Sequence, residues 1–175
     1  MVMLMVKKVA GPKVTISGKT FDEVRQDLLR RTMVLKSRIT QKYDDLYRKS
    51  SMDHVRHFLK ELRNEEEEDT EFIKKALESG QASINVSDLP DMKNFEMLDH
   101  IIRDAGRETN PNDLKSVMLS AIKTTDDVHN LFEIMSNEYG SSPISELLRE
   151  LANHEMSKKE KLSELYDDMV NKDYW

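Results

Sequence analysis

Across 175 residues the chain carries 27 Lys and Arg against 33 Asp and Glu, and no cysteine. The missing cysteine excludes disulfides, thiolate metal sites and a cysteine nucleophile. The net charge of −6 argues against nucleic acid as the main partner, because phosphate binding needs Lys and Arg massed on one face. Residues 1–19 read as an N-terminal arm or a short hairpin, with Val14, Thr15, Ile16 and Ser17 as the strand-like stretch after Gly11 and Pro12. All 5 Gly and 4 Pro fall outside or at the edges of four long windows, at roughly 20–49, 52–79, 111–138 and 143–170. Thr20 and Glu23 fit a capping box at the first window. Ser51 precedes the second and Gly80 follows it as a C-cap. Asn110-Pro111 and Ser142-Pro143 each set a cap residue before a proline at the first helical position, and Gly140 closes the third window.

Apolar residues recur at three- and four-residue steps in every window. The first has Val24, Leu28, Leu35, Ile39, Tyr43 and Leu46; the second Val55, Phe58, Leu59, Leu62, Ile73, Ala76 and Leu77. The third has Leu114, Val117, Met118, Ala121, Ile122, Val128, Phe132 and Met135. The fourth has Ile144, Leu147, Leu148, Leu151, Ala152, Leu162, Leu165, Tyr166 and Met169. Four amphipathic helices, each roughly 42 Å long at 1.5 Å per residue, favour side-by-side packing as an all-α up-down four-helix bundle over residues 20–170. Short linkers make two antiparallel hairpins. The stretch from Gly80 to Asn110, with a short helix expected near 91–105, is long enough to run the length of the bundle as one crossover between helices two and three. The tail 171–175 ends in Tyr174 and Trp175, which suits docking on the bundle or on a second copy, and a homo-oligomer, a dimer before larger assemblies, is expected. No apolar run is long enough to cross a bilayer. The opening Met1–Val6 is short for a secretory signal and lacks a charged leader, and a cytoplasmic protein without a membrane partner is expected.

Each apolar seam turns polar near its midpoint. Helix one runs Thr32, Lys36, Ile39, Tyr43; helix two runs Leu59, Leu62, Glu66, Asp69, Ile73; helix four runs Leu148, Leu151, Glu155, Lys158, Leu162. Thr125 holds the matching place in helix three. Antiparallel helices of equal length bring their midpoints to one level, so Lys36, Glu66, Asp69, Thr125, Glu155 and Lys158 are expected in one central layer. A charge at a seam position is costly unless paired.

Four long helices, a crossover after the second and a polar central layer resemble the rubrerythrin- and ferritin-like di-iron carboxylate proteins. The segments Glu61–Asp69 and Leu151–Lys159, and Tyr43 seven residues after Lys36, are similar to their counterparts there. The resemblance implies a ferritin-like fold with a Glu from helices one and three and Glu-x-x-His from helices two and four, holding two iron ions. At those positions this sequence has Lys36, Thr125, Glu66-x-x-Asp69 and Glu155-x-x-Lys158. A charged ammonium does not coordinate metal. The expectation is a degenerate site with no cofactor and no catalytic residue, filled by a Lys/Glu/Asp salt-bridge cluster, and hence a structural or binding role. Lys158→Met should then lower the melting temperature strongly, and Glu155→Leu added to it should recover much of the loss.

Two other readings stand beside it. In one, Glu65, Glu66, Asp69, Asp126, His129 and Glu155 hold iron in a peroxidase- or ferroxidase-type oxidoreductase, with helix three rotated to bring Asp126 inward. In the other the family is dropped and a helical interaction module remains. Glu67 and Glu68 read as a solvated helix face, and His54 and His57 as surface residues. His100 and His154 are isolated, and the methionines are core filler.

Overall fold

The computed structural model describes residues 15–16, 19–78, 109–140 and 142–172. The expected short helix near 91–105, most of the crossover, the first 14 residues and the terminal aromatics lie outside them. Two two-residue strands, β1 (Thr15–Ile16) and β2 (Lys19–Thr20), pair antiparallel, Thr15 opposite Thr20 and Ile16 opposite Lys19. Four long helices follow among the described residues: α1 (Phe21–Lys49), α2 (Asp53–Glu78), α3 (Leu114–Glu138) and α4 (Pro143–Lys172).

The core is the set of seam residues. Val24, Leu28, Leu35, Ile39, Tyr43 and Leu46 of α1 are buried with Val55, Leu59 and Leu62 of α2. Val117, Ala121, Val128, Phe132 and Met135 of α3 and Ile144, Leu148, Ala152 and Leu162 of α4 complete the same cluster. Each fully buried Leu, Val or Phe contributes about 1.5–3 kcal/mol, so the periodic rows, more than helix propensity, hold the helices together. Leu165 departs from the expected seam. It is 51% exposed, and beyond Leu162 the inward row continues through the half-buried Tyr166 and Met169.

The start of α3 differs from the expected proline cap. Asn110 Oδ1 accepts a hydrogen bond from the Asn112 amide at 3.0 Å, so Asn110 closes a local turn around Pro111. The helix begins only after Asp113, whose carboxylate accepts from the Lys115 amide at 3.0 Å. At the other end of α3, Gly140 takes φ 60°, a left-handed conformation that glycine enters without a Cβ clash. Pro143 opens α4 as expected.

Helix directions follow from one polar junction. Asn112 Oδ1 accepts from the Ser51 amide at 2.7 Å and from the Ser51 hydroxyl at 3.1 Å. The start of α3 therefore sits at the end of the molecule where α1 passes into α2. Helices α1 and α2 form one antiparallel pair and α3 and α4 the other, so α2 and α3 run in the same direction.

Candidate functional site

Lys36 lies inside the apolar row of α1 and is 2% exposed. Its Nζ donates to Asp69 Oδ2 at 3.1 Å and to Glu155 Oε1, and lies 3.1 Å from Glu66 Oε2. Lys158, one turn beyond Glu155 on α4, donates to Glu66 Oε1 and, at 3.0 Å, to Asp69 Oδ2. Asp69 Oδ2 thus receives both ammonium groups, and its other oxygen, Oδ1, lies 2.8 Å from His154 Nε2. Three helices supply the cluster because 66 and 69, and 155 and 158, are separated by one turn and so share a face.

The cluster is sealed on one side only. Lys36, Glu66 and Glu155 are buried, whereas the His154 side chain is 53% exposed. Burial works against the charge on Lys36, but Glu66, Glu155 and Asp69 outweigh it and hold the ammonium well above its ordinary range. Burial likewise opposes the charge on Lys158, and Glu66 leads the carboxylates that raise it. Burial favours the acid form of Asp69, yet the His154 hydrogen bond and both lysines hold its carboxyl well below the usual carboxylate range. Asp69 in turn raises His154, chiefly through that hydrogen bond, with burial opposing. Burial, then Glu66, pushes the enclosed Tyr43 phenol far up, so it stays protonated beside the cluster. Two lysines against three carboxylates leave one negative charge, and protonation of His154 cancels it.

This coupling fixes the sign of a pH effect. The folded-state pKa of His154 is raised, so its contribution is complete below the unfolded value of about 6.5 and disappears as pH rises through the folded value. Asp69 is shifted the other way. Its contribution is present above the ordinary carboxylate range and is lost only as pH falls through its depressed folded value. The melting temperature of the wild type relative to His154→Ala should therefore be highest near pH 5–6 and shrink toward pH 9. A difference independent of pH would mean that the His154–Asp69 contact does not form.

The other residues singled out in the sequence lie elsewhere. Thr125 is buried, but its hydroxyl donates to the Ala121 carbonyl of its own helix at 2.8 Å, and no described contact joins it to the cluster. Glu65 is exposed. Asp126 faces outward and accepts from Lys159 at 2.6 Å, with 36% of its side chain exposed. His129 is buried with Nδ1 2.7 Å from the Ala152 carbonyl and Nε2 3.5 Å from Glu133. The ligand set Glu65, Glu66, Asp69, Asp126, His129 and Glu155 is therefore not assembled, because Asp126 is engaged by Lys159 of α4 and His129 ties α3 to the Ala152 carbonyl. His154 was missed by sequence reasoning. Its spacing of four from Lys158 and its place beside Glu155 were the available signal.

The geometry bears directly on metal binding. Bridged iron needs free carboxylate oxygens converging with nitrogen ligands; here Glu66, Asp69 and Glu155 are already paired with two ammonium groups. Among the described residues no three His, Asp or Glu side chains stand as a group able to hold a metal ion. The residues present do not fit a di-iron centre. No described helix is long and apolar enough to cross a membrane. Compared with protein-family models, curated proteins and solved structures, the chain matches none.

Proposed function

We propose that this chain is a divergent relative of the rubrerythrin- and ferritin-like proteins in which two lysine ammonium groups stand where metal cations stand in active members. Its role on this reading is structural or binding, not redox catalysis. The observation that carries the reading is the occupation of the central carboxylates: Lys36 engages Glu66, Asp69 and Glu155, while Lys158 engages Glu66 and Asp69. The shared direction of α2 and α3 supports the one-crossover, ferritin-like topology, since such a chain must return along the bundle before its third helix.

Iron loading tests it. Protein purified without chelator, incubated anaerobically with ferrous iron and desalted, is expected to retain no stoichiometric metal and to show no peroxide-dependent oxidation of the iron. Retention of about two iron ions per chain, the complement of a two-metal site, with peroxide turnover would establish the oxidoreductase reading instead.

A further inference from the structure

A polar groove of about 460 Å³ opens to solvent between α1 and α2. None of its lining residues belongs to the Lys36–Lys158 cluster. Thr40 and Thr70 form part of its wall, and each has spent its only hydroxyl proton on its own helix. Thr40 Oγ1 donates to the Lys36 carbonyl at 2.9 Å, and Thr70 Oγ1 to the Glu66 carbonyl at 2.8 Å. Gln41 Nε2 donates to Asp45 at 2.9 Å. What these three side chains still offer a ligand is chiefly lone pairs.

One end of the groove is closed by an ion pair. Arg63 Nη1 donates to Asp44 Oδ1 at 2.9 Å, and Arg48 lies 2.7 Å from the other oxygen of Asp44. Because α1 and α2 are antiparallel, that bond sets the register, and Thr40 and Gln41 come opposite Glu67 and Thr70. Toward this end the charge is unbalanced. Glu67 is 3.9 Å from Arg63 Nε, which makes no hydrogen bond to it. Among the described residues no cation lies within ion-pair distance of Glu71. Glu67 and Glu71 are about 6 Å apart along the axis, four residues at 1.5 Å each. No three His, Asp or Glu groups among the described residues converge, as a chelated divalent cation requires. Acceptors strung along a groove suit instead an extended ligand with many N–H donors and positive charge at intervals.

We propose that this groove binds a linear aliphatic polyamine. One ammonium group donates to Glu67 and the next to Glu71, whose separation along α2 matches that of the two nitrogens in extended 1,4-diaminobutane. Each ammonium carries three donors and no acceptor, so the remaining protons go to Thr40, Gln41 and Thr70. The Arg63–Asp44 pair fixes which half of the groove the ligand occupies. Anionic ligands are rejected by the same carboxylates that hold the amine. The site stands apart from the central cluster and does not depend on how the fold arose.

Isothermal titration calorimetry of the full chain with spermidine at low ionic strength tests the proposal. One saturable site per chain is expected, with 1,4-diaminobutane binding more weakly and n-butylamine more weakly still. Glu71→Gln should weaken spermidine binding at least about tenfold, as loss of a charge-assisted hydrogen bond does. Glu68→Gln removes the same charge from α2 outside the groove and should change the affinity less than about twofold, because exposed charges are screened. Glu68 and Glu71 are exposed, so neither variant puts the fold at risk. The proposal is overturned if no saturable binding appears, or if Glu68→Gln weakens binding as much as Glu71→Gln. It is equally overturned if an oligolysine peptide binds and free spermidine does not, since the groove would then serve a protein partner.

Discussion

Lys36→Met is expected to destabilise the fold by about 3–5 kcal/mol, which for a chain of this size is a fall in melting temperature on the order of 10 °C. The substitution keeps the volume and the apolar stem of the side chain. What it removes is the one cation among the described residues that touches Glu66, Asp69 and Glu155 together. Glu155 then has no described ammonium within bonding distance, and two other carboxylates remain at the same level with only Lys158 between them. Carboxylates so placed either repel or take up protons, and the variant should be relatively more stable in acid than at pH 8. Adding Glu155→Leu removes the orphaned acid and should recover at least half of the loss, since replacing a buried pair by apolar groups of similar volume is often neutral. Circular-dichroism melts of the wild type, both single variants and the double variant complete the cycle. Additive single effects would show that Lys36 and Glu155 do not interact.

Lys158→Met should have the second largest effect, somewhat smaller because Lys158 and Asp69 keep partial access to water, at 11% and 17% side-chain exposure. It leaves three carboxylates on Lys36 alone. From the sequence, Glu155→Leu is the compensating change expected to recover much of the loss from Lys158→Met. The contacts point to a different partner: Lys158 bonds Glu66 and Asp69 across to α2, whereas Glu155 bonds Lys36. Glu66→Leu should therefore rescue Lys158→Met better than Glu155→Leu does, with urea midpoints as the readout. The reverse ranking would mean that the lysines are paired differently from the arrangement described here.

Much of this fold was legible because the breakers and the apolar rows agreed. Gly140 and Pro143 mark the turn between α3 and α4, and the rows of Val24 to Leu46 and Val55 to Leu62 are core residues. The shared level of Lys36, Glu66, Asp69, Glu155 and Lys158 followed from counting turns from the helix midpoints. The errors arose where a side chain had a local alternative. Thr125 was grouped with the charges because it interrupts an apolar row, yet a helical threonine can satisfy its hydroxyl on the carbonyl four residues back. Thr32, Thr40, Thr70, Thr124 and Thr125 all do so here. The start of α3 was misplaced because Asn110 closes a turn on Asn112, and Asn112 is engaged by Ser51 from a distant part of the chain. Linear spacing carries no trace of that partner. His154 escaped notice for a related reason. It lies at the rim of the cluster, where seam periodicity stops discriminating between a buried residue and a solvated one.

On the reading proposed above, Lys36 and Lys158 hold the space and the charge that metal cations would otherwise supply. Its most direct test is the shift in melting temperature on adding ferrous, manganous or zinc ions, measured on the wild type and on Lys36→Ala/Lys158→Ala. A ligand that binds only the folded state raises the melting temperature as its concentration passes the dissociation constant. The wild type should show no shift. The double variant frees Glu66, Asp69 and Glu155 with His154 at their edge, and should gain a metal-dependent rise of several degrees. A clear rise in the wild type, with none gained on removing the lysines, would mean that the lysines do not occupy a metal position.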